Sequence, residues 1–306
     1  HDLAWITAQD GVVYNASKVL SRTYLENGNP SMSISIDDAG NISSVTKFNL
    51  DANDEIESVD TYSMLDDSVS FVPASHDLAW ISAQDGVLYD ATKVLSRTYL
   101  KNGNPSMSIS IDEDGKISSV TKFNLDANDE IESVDTYSML DDSVSFVPAS
   151  HDLAWITAQD SVLYDSNKVL SRTYLENGNP SMSISIDEDG KISSVTKFNL
   201  DANDEIESVD TYEMLDDGVA FDAGSHDLAW ITAQDGVVYN ASKVLSRTYL
   251  ENGNPSMSIS IDDAGNISSV TKFNLDANDE IESVDTYSML DDSVSFVPAS
   301  HDLAWI

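Results

Sequence analysis

The sequence predicts an α+β tandem-repeat protein: four 75-residue units, each one helix plus an antiparallel β-meander of about five strands, arranged as a linear bead-like array or filament. Three observations carry this expectation. The segment HDLAW begins at His1, His76, His151, His226 and His301, which sets a period of 75 and units at 1–75, 76–150, 151–225 and 226–300. Within a unit, a stretch with apolar residues at helical spacing gives way to segments in which apolar residues alternate with serines, the change of period that separates helix from strand. Hydrophobic residues make up 41% of the chain and aromatic residues 8%, enough to bury cores in spite of the charge.

Residues 1–75 and 226–300 are identical, while the second unit departs from the first at 8 positions and the third at 14, so the copies are recent duplicates or are being homogenised. Residues 301–306, HDLAWI, either start a further repeat or supply a strand that completes unit 4, in which case each unit is finished by the start of the next. The chain opens on histidine and stops six residues into a fifth unit, so it reads as a window on a longer array.

The elements of one unit follow in order. Ala16, Val19, Leu20, Thr23 and Tyr24 fall on one helical face, Asn15 (Asp90, Asp165 and Asn240 in the copies) suits an N-cap, and Asn27-Gly28 is a stop signal, so a helix is expected over 16–26. After Pro30, Met32, Ile34 and Ile36 alternate with Ser31, Ser33 and Ser35, a half-buried strand ended by a turn at Asp37–Gly40. A second strand holds Ile42, Phe48 and Leu50 in one phase and Val45, Lys47 and Asn49 in the other. Residues 111–123 align with 125–137 at an offset of 14, one hairpin module used twice, which favours a third strand over 55–64 although Ile56, Val59, Tyr62 and Leu65 also fit helical spacing. Asp66-Asp67 turns into Ser68–Val72, and Leu3, Trp5 and Thr7 alternate with Ala4 and Ile6 in a fifth strand. A 75-residue unit buries only ~60% of its unfolded surface, so neighbours should matter. The tryptophans at 5, 80, 155, 230 and 305 belong either to the unit junctions or to the cores.

With 54 acidic against 15 basic side chains and a net charge of -39, the chain repels phosphate backbones and anionic lipid; neither nucleic acid nor membrane insertion is expected, and multivalent cations are the natural counter-partners. No apolar run approaches the ~18 residues of a membrane span. The absence of cysteine excludes disulfides, thiolate metal sites and cysteine nucleophiles. Histidine occurs only in the HDLAW segments, without a second ligand at metal spacing, and no GxSxG elbow is present, so no enzyme is expected.

The acidic turns are the candidate site. Asp37 in unit 1, Asp112 with Asp114 in unit 2, and Asp187 with Asp189 in unit 3 cluster oxygens around a turn, and Asp51 with Asn53, like Asp126 with Asn128, has the Asp-x-Asn spacing of calcium loops. Calcium is the candidate ligand, although Ile56 stands where the EF-hand glycine belongs, and no cofactor is required. Asn15, Asn41, Asn240 and Asn266 fit the N-glycosylation pattern, but Asp90, Asp165, Lys116 and Lys191 replace them in units 2 and 3, which a cap and a turn explain. Together these features point to a structural protein of an extracellular or cell-surface filament or stalk, working through length, stiffness and assembly, with its neighbouring repeats or copies of itself, end to end, as partners. The alternative is a multivalent adhesin or ligand-binding module, calcium-dependent or presenting tyrosines such as Tyr14 or Tyr62 to glycans.

Overall fold

A computed structural model describes residues 15, 18–37, 39–251, 253–275, 281–291, 293–298 and 300–305. The chain divides into two compact units, residues 1–121 with 139–164 and residues 122–138 with 165–306, and each is described by itself. Every repeat contributes four strands: β1 (Ser21–Glu26), β2 (Asn29–Ile36), β3 (Ile42–Leu50) and β4 (Ile56–Met64), then β5 (Tyr89–Lys101), β6 (Asn104–Ile111), β7 (Ile117–Leu125) and β8 (Ile131–Met139). The third repeat gives β9 (Tyr164–Glu176), β10 (Asn179–Ile186), β11 (Ile192–Leu200) and β12 (Ile206–Met214), and the fourth β13 (Tyr239–Glu251), β14 (Asn254–Ile261), β15 (Ile267–Leu275) and β16 (Ile281–Ser288). Within each unit the strands lie in the order in which the chain makes them, antiparallel from β1 to β6 in the first and from β9 to β16 in the second. Three short helices, α1 (Leu78–Ser82), α2 (Leu153–Ala158) and α3 (Leu228–Thr232), complete the regular structure among the described residues.

The architecture is therefore an almost entirely antiparallel β-meander, which corrects the expected α+β unit. The expected helix and the expected fifth strand exchange places. Residues 21–26 form β1, and the counterparts of 16–26 in later repeats lie inside the 13-residue strands β5, β9 and β13; Ala16 and Ser17 fall outside the described residues. Arg97 and Tyr99 alternate inward with Val94 beyond a register shift, while Leu95, which a helical stripe would bury beside Val94, is exposed. Asn27-Gly28 is not a helix stop but the two-residue loop of the β1–β2 hairpin: φ is 52° at Asn27 and 91° at Gly28, and Glu26 pairs Asn29 across it. Positive φ at both central residues is the primed turn that matches strand twist, and Asn-Gly is the pair that adopts it most readily.

The HDLAW segments at His76, His151 and His226 replace the fifth strand with a single helical turn. Asp77, at its N-cap, accepts a hydrogen bond from the Trp80 amide at 2.8 Å, and Asp152 and Asp227 accept from Trp155 and Trp230 at 2.7 Å each. The inward residue is not tryptophan but Ile81, with Ile156 and Ile231 in the copies. Trp80, Trp155 and Trp230 are half-buried. The first copy, Leu3 to Thr7, lies outside the described residues.

The three strands expected at 31–37, 42–50 and 55–64 are present as β2, β3 and β4. Met32, Ile34 and Ile36 are buried as their alternation requires. In β3 the phases expected to be opposite converge: pairing passes from Ser35–Ser44 to Ile36–Ile42, so Ser43 is the extra residue of a bulge, and Ile42 and Val45 both reach the core. β4 buries Ser58, Asp60 and Tyr62 and leaves Val59 half-buried, so the polar phase faces inward.

Candidate functional site

The buried polar phase of β4 meets a second buried charge on β5. Pairing of Asp60 with Arg97 in register places the two side chains on one face, and the guanidinium grips the carboxylate with two bonds, Nε to Oδ1 at 2.5 Å and Nη2 to Oδ2 at 2.6 Å. The remaining nitrogen, Nη1, donates to the carbonyls of Pro148 at 2.8 Å and His151 at 3.2 Å. Phe146 lies under the guanidinium, 4.9 Å from its ring centre. The Tyr99 hydroxyl donates to the His151 carbonyl at 2.8 Å, and the His151 ring stacks on Trp155 at 3.5 Å between ring centres. Asn49 completes the carboxylate, its Nδ2 donating to Asp60 Oδ2 at 3.0 Å. A charge taken out of water in this way is tolerated only when fully partnered, and bidentate arginine–carboxylate geometry is the strongest form of partnering.

The clasp recurs. Arg172 grips Asp135 at 2.6 and 2.7 Å over Phe221 and donates to the Ala223 and His226 carbonyls. Arg247 grips Asp210 at 2.6 Å twice over Phe296, and Tyr249 donates to the His301 carbonyl. The chain has four arginines, one per repeat, all at this position. Each clasp draws on three stretches of sequence, an aspartate from one repeat, an arginine and tyrosine from the next, and the carbonyl of the histidine that opens the repeat after that. Residues 301–305 thus meet the fourth repeat through the His301 carbonyl. Among the described residues every buried side-chain nitrogen and oxygen has a partner. The arrangement holds backbone and charge together.

The histidines act here through the ring and its acceptor. Val147 donates its amide to His151 Nδ1 at 3.3 Å and Asp222 donates to His226 Nδ1 at 3.2 Å, contacts that need an unprotonated nitrogen. Burial, chiefly, with the nearby Arg97 in one case and Arg172 in the other, pushes both imidazoles below their ordinary value, although Asp222 opposes this at His226. The unfolded chain then takes up protons near the ordinary imidazole pKa of about 6.5 while the folded chain resists them. Stability is full above that pH, declines as pH falls toward the lowered folded values, and levels off below them. Thermal melts across this interval should show the decline, and a flat profile there would refute the role given to Nδ1.

The acidic turn residues lie apart from the clasp and serve the turns. Asp37 accepts from the Asn41 amide at 2.6 Å, Asp112 from Lys116 at 2.8 Å, and Asp187 from Asp189 and Lys191 at 2.9 and 2.8 Å. Asp51 Oδ1 accepts from the amides of Asn53 and Glu55 at 2.8 and 2.9 Å, and Asn53 Nδ2 donates to its other oxygen; Asp126 and Asn128 repeat this. Hydrogen bonds from the amides of Glu55 and Asn53 hold the Asp51 carboxyl below the usual range. Asp114 and Asp189 point into solvent. Among the described residues no three histidine, aspartate or glutamate side chains are gathered closely enough to hold a metal ion. Asn41 and Asn266 accept from Ser70 and Ser295 hydroxyls at 3.0 Å, so these asparagines are built into the turns.

Tyr62 is buried rather than exposed, stacked on Tyr89 at 5.4 Å across the β4–β5 pairing, as Tyr212 is on Tyr239 at 5.5 Å. Burial pushes the Tyr62 and Tyr212 hydroxyls up to about 12. Tyr14 lies outside the described residues. The Asp–Arg clasp is the part sequence reasoning missed; its available signal was the single arginine per repeat, always 37 residues beyond the same Val-Asp-Thr aspartate.

No protein-family model matches the chain, and neither does any curated protein. Solved structures that match include a porin-like protein from Bacteroides uniformis, 10% identical, over 88% of this chain and 92% of that one with a TM-score of 0.22. The Photorhabdus luminescens Tc holotoxin pore matches at 12% identity over 86% of this chain and 14% of that one, with a TM-score of 0.18. TcdB2-TccC3 without its hypervariable C-terminal region matches at 11% identity over 87% and 14%, with a TM-score of 0.14. The chain thus spans about a seventh of the toxin chains, and likenesses at these scores carry no functional argument.

Proposed function

We propose that the chain is a structural tandem-repeat protein of an extracellular or cell-surface filament or stalk, acting through length and stiffness rather than chemistry. The observation that carries this reading is the junction between repeats. The last strand of one repeat pairs directly with the first strand of the next, over seven residue pairs at β4–β5 and again at β12–β13, and the ion pair is buried there. The 24-residue excursion between β4 and β5 folds back instead of serving as a linker, since Leu65 and Asp66 bond to the Leu88 carbonyl and Ser82 meets Met32 at 3.7 Å. Units coupled only to their neighbours behave as a one-dimensional chain whose stiffness and cooperativity grow from the interfaces. The strong negative charge keeps such an array soluble.

Four strands per repeat at ~4.8 Å spacing put about 19 Å between equivalent points. Negative-stain microscopy of covalent arrays with four and eight repeats should therefore show particles that lengthen by about that amount per added repeat. Particles whose longest dimension does not change would overturn the stalk reading. The second reading, a multivalent calcium-dependent adhesin, draws on the exposed acidic turns at Asp112–Asp114 and Asp187–Asp189, which recur with the repeat. Calorimetric titration with calcium reads it directly: heat of binding in proportion to repeat number supports it, and none removes it.

A further inference from the structure

The Asn-Gly pair that closes the β1–β2 hairpin recurs as Asn102-Gly103 and Asn177-Gly178, while Asn252 of the fourth copy falls outside the described residues. In the three described loops both residues are exposed and both have positive φ, 54° and 83° at Asn102 and Gly103. Lys101 pairs Asn104 across that loop, which leaves the two central residues outside the ladder. Among the described residues the amides of Gly28, Gly103 and Gly178 donate to no acceptor, and a Cβ built on any of the three would meet nothing within 4 Å. The carboxamides of Asn27, Asn102 and Asn177 are equally untied there, whereas Asn49 Nδ2 is held by Ser58 and Asp60. The exposed Asp-Gly pairs differ in one respect: their glycine amides are engaged. Gly86 donates to the Tyr89 carbonyl at 2.8 Å, Gly115 to Asp112 at 3.0 Å and Gly190 to Asp187 at 3.0 Å.

We propose that these Asn-Gly loops are sites of spontaneous covalent modification, in which water converts the asparagine to a mixture of aspartate and isoaspartate while the Asp-Gly pairs stay protected. The inference goes beyond the structural reading above and does not rest on it. Hydroxide removes the proton of the Gly103 amide, and the nitrogen attacks Asn102 Cγ. The new carbon–nitrogen bond closes a succinimide ring as the side-chain nitrogen leaves, taking a proton from water to depart as ammonia and returning the hydroxide. Water then opens the ring at either carbonyl, so the balance is one water in and one ammonia out. Three features permit this at Asn102: glycine has no Cβ to crowd the attack, its amide has no hydrogen bond to give up, and both groups lie in solvent. The turn must open locally for Cγ to reach the nitrogen, and loop tips at strand ends are where opening costs least. At Gly86, Gly115 and Gly190 the amide proton is already committed to a carbonyl. Opening at the side-chain carbonyl leaves Asp-Gly, which also suits the primed turn. Opening at the main-chain carbonyl routes the backbone through Cβ and Cγ, one methylene longer, and a two-residue loop no longer matches the Lys101–Asn104 pairing. Tyr99, whose hydroxyl holds the His151 carbonyl, lies just before that pairing. Each conversion also adds one negative charge to a chain at -39.

Peptide mapping of the intact chain after incubation at mildly alkaline pH tests this, run in buffer and in parallel in urea, with fragmentation that separates isoaspartate from aspartate. In urea every one of these pairs is open, so Asn27, Asn102 and Asn177 and also Asp85, Asp114 and Asp189 should yield isoaspartate. In buffer the three asparagines should still convert, with ammonia released in step, while the three aspartates stay unmodified. Asparagines that survive in buffer but convert in urea overturn the proposal, because the turn then protects the carboxamide. Isoaspartate at the Asp-Gly pairs as fast in buffer as in urea overturns it as well, since the glycine hydrogen bond would then select nothing. Asn102→Asp fixes the aspartyl product and should melt with the fresh chain, whereas a chain aged to isoaspartate at these loops should melt below both. An isoaspartyl chain that melts with the fresh one overturns the consequence drawn for the hairpin.

Discussion

Replacing Asp135 with alanine is expected to cost about 3–5 kcal/mol. The reason is asymmetric. Arg172 is nearly inaccessible, and its Nε and Nη2 have only the two oxygens of Asp135 to bond. Deleting the carboxylate leaves a buried guanidinium with two of its three nitrogens deprived of their acceptor, and the cost is that of stranding the charge rather than the net worth of the pair. The control is Asp285→Ala: the same residue type, on the equivalent strand, with the same asparagine contact but exposed and without arginine, where a change within about 0.5 kcal/mol is expected. Urea unfolding reads both. Hydrogen exchange localises the first, because Arg172 also holds the Ala223 and His226 carbonyls, and the amides of residues 221–228 should lose protection together. A loss at Asp135 as small as that at Asp285 would mean that burial at the junction does not constrain the charge.

The contrast between those two aspartates also shows what the sequence could and could not tell. β2, β3 and β4 were legible because isoleucine alternating with serine over eight or nine residues fits a strand and little else, and because the 14-residue offset marks a hairpin used twice. β5 was not, since Ala-x-x-Val-Leu-x-x-Thr-Tyr satisfies a helical stripe, and Asn-Gly is both a helix stop and the best two-residue hairpin loop. What decided it was long-range: Arg97 faces inward because Asp60 is there to meet it, 37 residues away, and no local pattern reports that. The same pairing turned the polar phase of β4 inward and hid the candidate site, while the acidic turns, conspicuous in composition, proved legible as turns. The histidines' role depends on a stack with the tryptophan four residues on, which exists only once the segment between them is helical.

The helical segment supplies the second large effect, and a choice between two adjacent residues. Alternation in HDLAWI puts leucine and tryptophan on one face and isoleucine on the other; five residues are too few to separate that period from 3.6, and the N-cap aspartate was the signal that should have weighed more. In the folded chain Ile231 is fully buried, whereas Trp230 is half-buried and rests on the His226 ring at 3.5 Å. Ile231→Ala should therefore cost about 2–5 kcal/mol, the methylene groups lost plus the cavity left, since the sheet beneath cannot collapse to fill it. Trp230→Ala removes the larger side chain but mainly a ring stack worth about 0.5–1.5 kcal/mol together with partial burial, and it should cost less than Ile231→Ala. Thermal unfolding of the two variants ranks them. The order matters more than either value: with tryptophan the more costly, residues 228–232 would be anchored from the outside, as the alternating pattern implies, and the helix would be held by its stack; with isoleucine the more costly, the helix is a plug in the sheet, and the stacked histidine and tryptophan form the cover over the clasp that Arg172 and Tyr174 hold from below.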